Sequence, residues 1–496
     1  MNTQNKPVRV RYAPSPTGFF HVGGARTALY DYLLAKQTGG QFIIRIEDTD
    51  QKRFNPEAVD NLFSGLRYLG LDWDEGPDVG GDYAPYRQTD RLEYYQKYAK
   101  ILMEKGHAYR CFCSSERLAE VNKKRQKAKL PSGYDRHCRD ISADESLKRA
   151  EAGEPFTIRL KVPREGTIIL PDALRGDITF KNRILQDAVL MKSNGIPTYH
   201  LAVVVDDYLM KITHVIRGEE WISSYPLHGH IYNFLGLDMP IFVHLPVILN
   251  PNGKGKISKR EKTGKDGKIM PVFVHTFEKL GYLPEAMINF MALLGWSYDD
   301  KTEIISRDEL IERFSLDRVN TSGATWNYKK LNHFNGVYIR SLTVEDLTDR
   351  IMPYLKKAGV SADRETMLRI TPMIQERITV LSEAISMVDF FFIDELPDYD
   401  VNLLAPKKKT LADVPDILKS ARDTLAKIEF SHDEIETNLR NAVKESGLKA
   451  GQLFQPIRVA TCGKKVAPPL FGTLEVLGKE CVLHRIDKAI KLLGDK

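Results

Sequence analysis

The sequence predicts an α/β N-terminal region that gives way to an all-helical C-terminal part. Three observations carry this expectation. Val8, Val10 and Tyr12 alternate with Arg9 and Arg11 as in a short strand, which runs through a Pro- and Gly-rich loop into a helix. Residues 41–46 (QFIIRI), 201–205 and 242–249 are apolar and β-branched runs that read as further strands, the second buried on both faces. From Thr343 onward the pattern is amphipathic and helical, with short loops and no strand periodicity.

Taken in order, the first strand ends at Ala13-Pro-Ser-Pro-Thr-Gly18, where two prolines and a glycine dictate a loop. After His21-Val-Gly-Gly24, the apolar residues Ala25, Ala28, Leu29, Tyr32 and Leu33 recur at helical spacing until Gly39-Gly40. Strand, Gly-rich loop and helix make half of a nucleotide-binding βαβ unit. Backbone N–H groups at such a helix start attract phosphate, and the bare Gly23 and Gly24 admit close approach. His21 would then lie beside the phosphates; the plain alternative is a chance HxG in an ordinary turn. Far downstream, Lys256-Ile-Ser-Lys-Arg260 offers two ammonium groups, Lys256 and Lys259, among Gly253, Gly255 and Gly264. Positive charge there could stabilise a pentacoordinate α-phosphate and departing pyrophosphate, against the alternative of a solvated basic turn.

A chain of 496 residues exceeds one compact core, so about three to five domains are expected. The formal net charge of +6 fits a polyanionic partner without demonstrating one. The start, MNTQNKP, lacks an apolar signal region, and no apolar run is long enough to cross a bilayer, so a cytoplasmic protein with no membrane partner is expected. Five cysteines in this length do not make a disulfide framework; they read as reduced thiols or metal ligands.

In this order and separation, APSPTGFFHVGG and KISKR resemble the two ATP-binding signatures of class I aminoacyl-tRNA synthetases. RYAPSPTG, RIEDTD, LGLDWDEGP, PYRQTDRLEYYQKYAKIL, PTYHLAVVVDD, HVIRGEEWISS and GQLFQPIRVA narrow the resemblance to the glutamyl-tRNA synthetases of bacterial type, over nearly the whole chain. The resemblance implies an α/β Rossmann-type catalytic domain with an inserted mixed acceptor-binding domain, followed by helical stem-contact and all-α anticodon-binding domains. Residues 1–111 and 196–262 would be the halves of the Rossmann fold, and 112–195 the insertion. Residues 263–340 would contact the stem and 341–496 the anticodon. It also implies ATP-dependent ligation of L-glutamate to the 3′ end of tRNA(Glu) through a glutamyl-adenylate, releasing AMP and pyrophosphate. Mg²⁺ would arrive with ATP, tRNA(Gln) is an alternative acceptor for a non-discriminating form, and a monomer is expected.

Carried over residue by residue, the resemblance makes His21, Lys256 and Lys259 catalytic. Gly18, His21, Gly23, Gly24, Glu220, Trp221 and Lys259 would bind ATP. Arg11 would pair with the glutamate side chain, for which a planar, always-charged fork is suited. Ala13, Ser15 and Glu47 would hold the α-amino group, Tyr199 would line the pocket, and Arg217 would take the α-carboxylate. A salt bridge from Arg217 to Glu219 or Glu220 is the structural alternative. Val203 stands where some relatives have a pocket asparagine.

Within the insertion, Cys111, Cys113 and Cys138 with Tyr134 form a CxC…YxxxC arrangement. Three thiolates and one oxygen or imidazole complete a tetrahedral Zn²⁺ site, with three free thiols as the alternative. Tyr134 matches a tyrosine ligand of a sister group, His137 is a further candidate, and a histidine of some relatives is Asp140 here. The basic run 123–129 on an expected helix would contact phosphates or form a solvated face. Residues 86–105, 273–281 and 284–295 read as helices, with Met287 and Met291 as packing. Strands are expected in 156–162 and 166–184. Arg377 aligns with an arginine that reads the third anticodon base in glutamate-selective enzymes, or is a surface helix arginine.

Overall fold

A computed structural model describes residues 7–264, 267 and 269–494; the reading of the first six residues lies outside them. The chain divides into two compact units, Met1–Phe277 with Met287–Tyr328, and Glu278–Ala286 with Lys329–Lys496.

The first unit is built on two βαβ turns. Strand β1 (Arg9–Tyr12), helix α1 (Val22–Gln37) and strand β2 (Gln41–Ile44) form the first, with β1 and β2 parallel and Arg9 opposite Gln41. Gly39, with φ +63°, and Gly40 turn the chain out of α1, and Gly40 N–H donates to Ala35 O. Helices α2 (Pro56–Tyr68) and α3 (Leu92–Glu104) follow. Between the two βαβ turns lie β3 (Ala108–Cys111) and then the inserted segment, with α4 (Ser115–Lys127), α5 (Ala143–Glu151), β4 (Thr157–Leu160), the hairpin β5 (Thr167–Asp172) with β6 (Gly176–Lys181), and β7 (Val189–Met191). Strands β3, β4 and β7 form one antiparallel sheet. Helix α4 buries no residue, so its basic run is solvated.

Helix α6 (Tyr199–Leu209) corrects the expected strand at 201–205. Residues Leu201 to Asp207 are all buried. A run apolar on every side shows neither period, and its length alone does not separate a buried strand from a buried helix. As a helix, it puts Tyr199, Val203 and Asp207 on one face, four residues apart. Next come β8 (His214–Gly218), α7 (Tyr225–Leu235) and β9 (Ile241–Leu245), the second βαβ turn, with β8 and β9 parallel. Thr213 N–H donates to Arg9 O (2.9 Å), joining β8 to β1. The strand expected over 242–249 breaks at Pro246, which has no N–H to donate. It resumes as β10 (Ile248–Leu249), paired with Ala324–Thr325. Helices α8 (Val274–Leu280), α9 (Pro284–Ala292) and α10 (Arg307–Arg313) follow, with Met287 and Met291 fully buried.

In the second unit the regular elements among the described residues are all helices: α11 (Tyr328–Ser341), α12 (Val344–Lys357), α13 (Arg364–Ile374), α14 (Glu383–Val388), α15 (Val414–Ala426), α16 (His432–Ser446), α17 (Ala450–Cys462), α18 (Leu470–Leu477) and α19 (Lys479–Gly494). Each buries the stripe its periodicity predicts. Leu347, Ile351 and Leu355 of α12, four apart, have no exposed surface, and Thr343 caps the helix through Asp346 N–H. Among the described residues, no helix is long and apolar enough to cross a membrane.

Candidate active site

Helix α1 begins at His21, whose extended backbone ends the loop and whose ring caps the helix. Nδ1 accepts Gly23 N–H (3.0 Å), so the ring proton lies on Nε2, which meets Ser258 O at 2.9 Å. Burial, before any neighbouring charge, holds the imidazole pKa low, so the ring is neutral. His21 therefore links the first loop to the KISKR loop. Gly24 serves packing as well as approach, because a Cβ there would collide with the Tyr12 hydroxyl.

The second loop is shaped by Asn250. Its Nδ2 donates to Lys254 O and Lys256 O (both 3.0 Å), and its Oδ1 accepts Ser258 N–H (3.3 Å). Gly253 and Gly255 lie at φ +72° and +69°, where a side chain would be strained. Ile257 is the buried anchor of the loop, its N–H on Ile248 O. Lys256 and Lys259 are both exposed. Lys256 pairs with Glu220 at 2.5 Å, whereas Lys259 makes no ion pair among the described residues.

Between these loops lies a cavity of about 720 Å³. Its wall includes Arg11, Ala13, Ser15, Gly18, His21, Gly23 and Gly24 from the first strand and loop. Glu47, Tyr199, Arg217, Glu220, Trp221, Lys256 and Lys259 join them from four other places in the chain. Every residue that the sequence points to for nucleotide, glutamate or catalysis thus lines one space. Val203 is buried and does not line it.

The deep end of the cavity rests on a buried ionic network that the sequence did not reveal. Asp207 accepts the Arg11 fork through Nε (3.0 Å) and Nη2 (3.3 Å), and also meets Arg45 Nη1 at 2.8 Å. Arg11 Nη1 has no hydrogen-bond partner among the described residues. Arg45, fully buried, holds Glu47 Oε1 at 3.0 Å. Asp206 takes Arg91 (2.7 Å), Gln88 (3.0 Å) and Tyr95 (2.8 Å). Burial outweighs Arg45 and Arg11 at Glu47 and pushes its pKa up to about 7. The available signal was Asp206-Asp207 closing an apolar run, because buried acids are tolerated only when paired.

Arg217 forms neither of the salt bridges that would have made it structural. Glu219 is taken by Arg175 (2.7 Å) and Glu220 by Lys256. Arg217 instead donates to His244 Nε2 (3.0 Å) and Tyr199 Oη (3.4 Å), and its Nη1 lies 3.1 Å from His228 Nδ1. Nη2 is buried with no hydrogen-bond partner among the described residues. The Trp221 ring lies on Tyr199, centroids 4.3 Å apart.

In the inserted segment, the sulfurs of Cys111, Cys113 and Cys138 lie within 4.8 Å of one another, and no His, Asp or Glu among the described residues joins them. Cys113 and Cys138 Sγ are 3.6 Å apart, close to the roughly 3.8 Å edge of a tetrahedral zinc–thiolate site. Tyr134 Oη lies 3.3 Å from Cys111 Sγ and 3.9 Å from Cys113 Sγ. His137 is exposed, and Asp140 pairs with Arg164. The donor set fits a tetrahedral metal through three sulfurs and the Tyr134 oxygen. In the second unit, Arg377 sits in the turn after α13 rather than on a helix, and donates to Ala467 O (3.3 Å). Arg458 donates to the same carbonyl (3.1 Å), so two guanidinium groups lie together.

Known proteins bear on this geometry. The family described as tRNA synthetases class I (E and Q), catalytic domain, matches residues 7–333, and an anticodon binding domain family matches 346–490. The glutamate–tRNA ligase of Roseiflexus castenholzii is 48% identical, over 98% of this chain and 97% of that one. That of Chloroflexus aurantiacus is 46% identical over 99% of both. A crystal structure of a glutamate tRNA ligase from Elizabethkingia meningosepticum, in complex with its amino acid, superposes with a TM-score of 0.86 at 35% identity, covering 98% of this chain and all of that one. With a catalytic-domain family matched over residues 7–333 and full-length identity near one half, the chain belongs to the glutamate–tRNA ligase family of class I tRNA synthetases.

Proposed function

We propose that the protein activates L-glutamate with ATP and transfers it to the 3′ end of tRNA(Glu), releasing pyrophosphate and then AMP. The observation that carries this is the pairing, in one cavity, of an unsatisfied buried guanidinium edge on Arg217 with the buried carboxylate of Glu47. Together they complement the carboxylate and ammonium of an α-amino acid, and Arg11 Nη1 complements a second carboxylate. In the first step the glutamate α-carboxylate attacks the α-phosphorus in line, with no protein nucleophile. The helix start at Gly23–Gly24, the His21 ring and the Lys259 ammonium stabilise charge on the phosphates. Trp221 and Glu220 line the ATP side, and Mg²⁺ enters bound to ATP. The terminal ribose hydroxyl of tRNA then attacks the adenylate carbonyl. The inserted segment 112–195 grips the acceptor stem, residues 263–340 contact the stem, and 341–496 reads the anticodon through Arg377.

The test is charging of purified glutamate and glutamine tRNA transcripts with labelled glutamate. Charging of the glutamate transcript alone is expected. Charging of both makes the enzyme non-discriminating, and charging of neither by folded, metal-replete protein ends the reading.

The Glu47 assignment has a pH signature. An ammonium partner needs the ionised carboxylate, and the Glu47 pKa lies at about 7 in the folded protein. The KM for glutamate should therefore rise as pH falls through 7, by about tenfold per unit once below it. A glutamate KM that stays flat from pH 6 to 8, with ATP saturating, sinks the assignment.

Cys111, Cys113, Cys138 and Tyr134 are proposed to hold Zn²⁺, which would brace the start of the inserted segment and take no part in the chemistry. About one equivalent of zinc per chain is expected by elemental analysis. Cys138→Ser should abolish it, and Tyr134→Phe should weaken retention against a chelator. Three freely titrating thiols in metal-supplemented protein would argue for the unmetallated alternative.

A further inference from the structure

The guanidinium of Arg217 is fixed on every side except Nη2, and the group that fixes its orientation is His244. Arg217 Nε donates to His244 Nε2 (3.0 Å), so that nitrogen must be the unprotonated one. The proton of the neutral ring then lies on Nδ1, which faces Asp172 Oδ2 at 2.6 Å. Asp172 is held in turn. Its Oδ1 accepts the N–H groups of Leu174 and Arg175 (both 3.0 Å), and its Oδ2 also accepts His244 N–H (3.1 Å). The His244 and Asp172 side chains have no exposed surface.

Asp172 ends β5, so it comes from the hairpin of the inserted segment rather than from the sheet that carries Arg217. The hairpin turn is docked beside β8 and β9: Ala173 N–H donates to Phe242 O (2.8 Å), and Arg175 pairs with Glu219. A protonated His244 would aim an N–H at a guanidinium and set two cations in contact. Burial and Arg217 accordingly hold its pKa low, against the opposing pull of Asp172. Burial would raise the Asp172 pKa, but the hydrogen bonds from His244 and from the backbone hold it below the usual range. The pair is therefore a carboxylate and a neutral imidazole of one defined tautomer.

We infer that Asp172 and His244 are positioning residues for the amino acid: the carboxylate selects the tautomer of the ring, and the ring holds Arg217 with Nη2 free for the substrate α-carboxylate. This rests on the reading that Arg217 takes that carboxylate.

Asp172→Asn keeps the shape but adds an N–H₂ that can donate to His244 Nδ1. The ring then favours a proton on Nε2, which opposes the Arg217 N–H donor to donor. The glutamate KM should rise about 10–100-fold, with the ATP KM held within about twofold. Inhibition by L-glutamol, which has an alcohol in place of the α-carboxylate, should be unchanged. His244→Gln offers Arg217 an acceptor that does not titrate and should retain a lower glutamate KM than His244→Phe. A folded Asp172→Asn enzyme with unchanged glutamate KM overturns the inference, as does an equal rise in both KM values. If Asp172→Asn does not fold, equal glutamate KM for the two His244 variants overturns it instead. Arg217→Ala separates the two levels. An unchanged glutamate KM there removes the carboxylate reading itself, whereas a raised KM there with a normal Asp172→Asn removes only the positioning role.

Discussion

Replacing Lys259 with alanine is expected to slow tRNA-dependent ATP–pyrophosphate exchange by about 10²–10³-fold, the usual cost of removing one donor aimed at developing charge. The affinity for tRNA should not change. The structure separates this lysine from its neighbour in the same loop. Lys256 is already neutralised by Glu220 at 2.5 Å, so phosphate must compete with a carboxylate for it. Lys259 lines the same cavity and makes no ion pair among the described residues, so its charge is available to a triphosphate. Lys256→Ala should therefore cost less than Lys259→Ala. The loop itself survives either change, because Ile257 anchors it and Asn250 folds its backbone. Exchange by Lys259→Ala within tenfold of the parent, with glutamate and tRNA saturating, would remove the lysine from the mechanism.

The parts legible in the sequence were those whose signal is local. The alternation from Val8 to Tyr12, the loop prolines and the spacing from Ala25 to Leu33 each depend on near neighbours, and each formed the element expected. The same holds for the stripes of α12 and for Met287 and Met291. What the pattern did not carry is pairing over distance. Arg9 and Arg11 alternate with apolar residues as if solvated, yet both are buried, on Glu75 and on Asp207 far along the chain. Nothing near Arg11 announces Asp207. The strand expected at 201–205 failed for a related reason: burial on all sides erases the periodicity that distinguishes helix from strand. His244 and Asp172 were missed because their role exists only once a hairpin from the insertion meets β9. Resemblance supplied candidate binding residues but not the groups that hold them.

Those holding groups set the largest expected loss of stability. Asp207→Ala leaves Arg11 and Arg45, both buried, without their shared carboxylate, and breaking a buried pair in this way costs about 3–5 kcal/mol. Here two cations lose one anion, so the upper end of that range is expected. The unfolding of this unit can be followed separately, because all four tryptophans, Trp73, Trp221, Trp296 and Trp326, belong to it. A second acid in the same core gives the control. Asp31 is buried with no hydrogen-bond partner on either oxygen among the described residues, and burial pushes its pKa well above the ordinary value. A carboxyl whose pKa rises on folding contributes stability at low pH and loses it as pH climbs above the unfolded value. Asp31→Asn removes that loss, so it should stabilise the unit at pH 7, and by more at pH 8 than at pH 5. The two substitutions should thus move the tryptophan-detected transition in opposite directions. If Asp207→Ala costs no more than about 1 kcal/mol, the Arg11–Asp207–Arg45 cluster is not what holds the Arg11 and Glu47 side of the cavity in place.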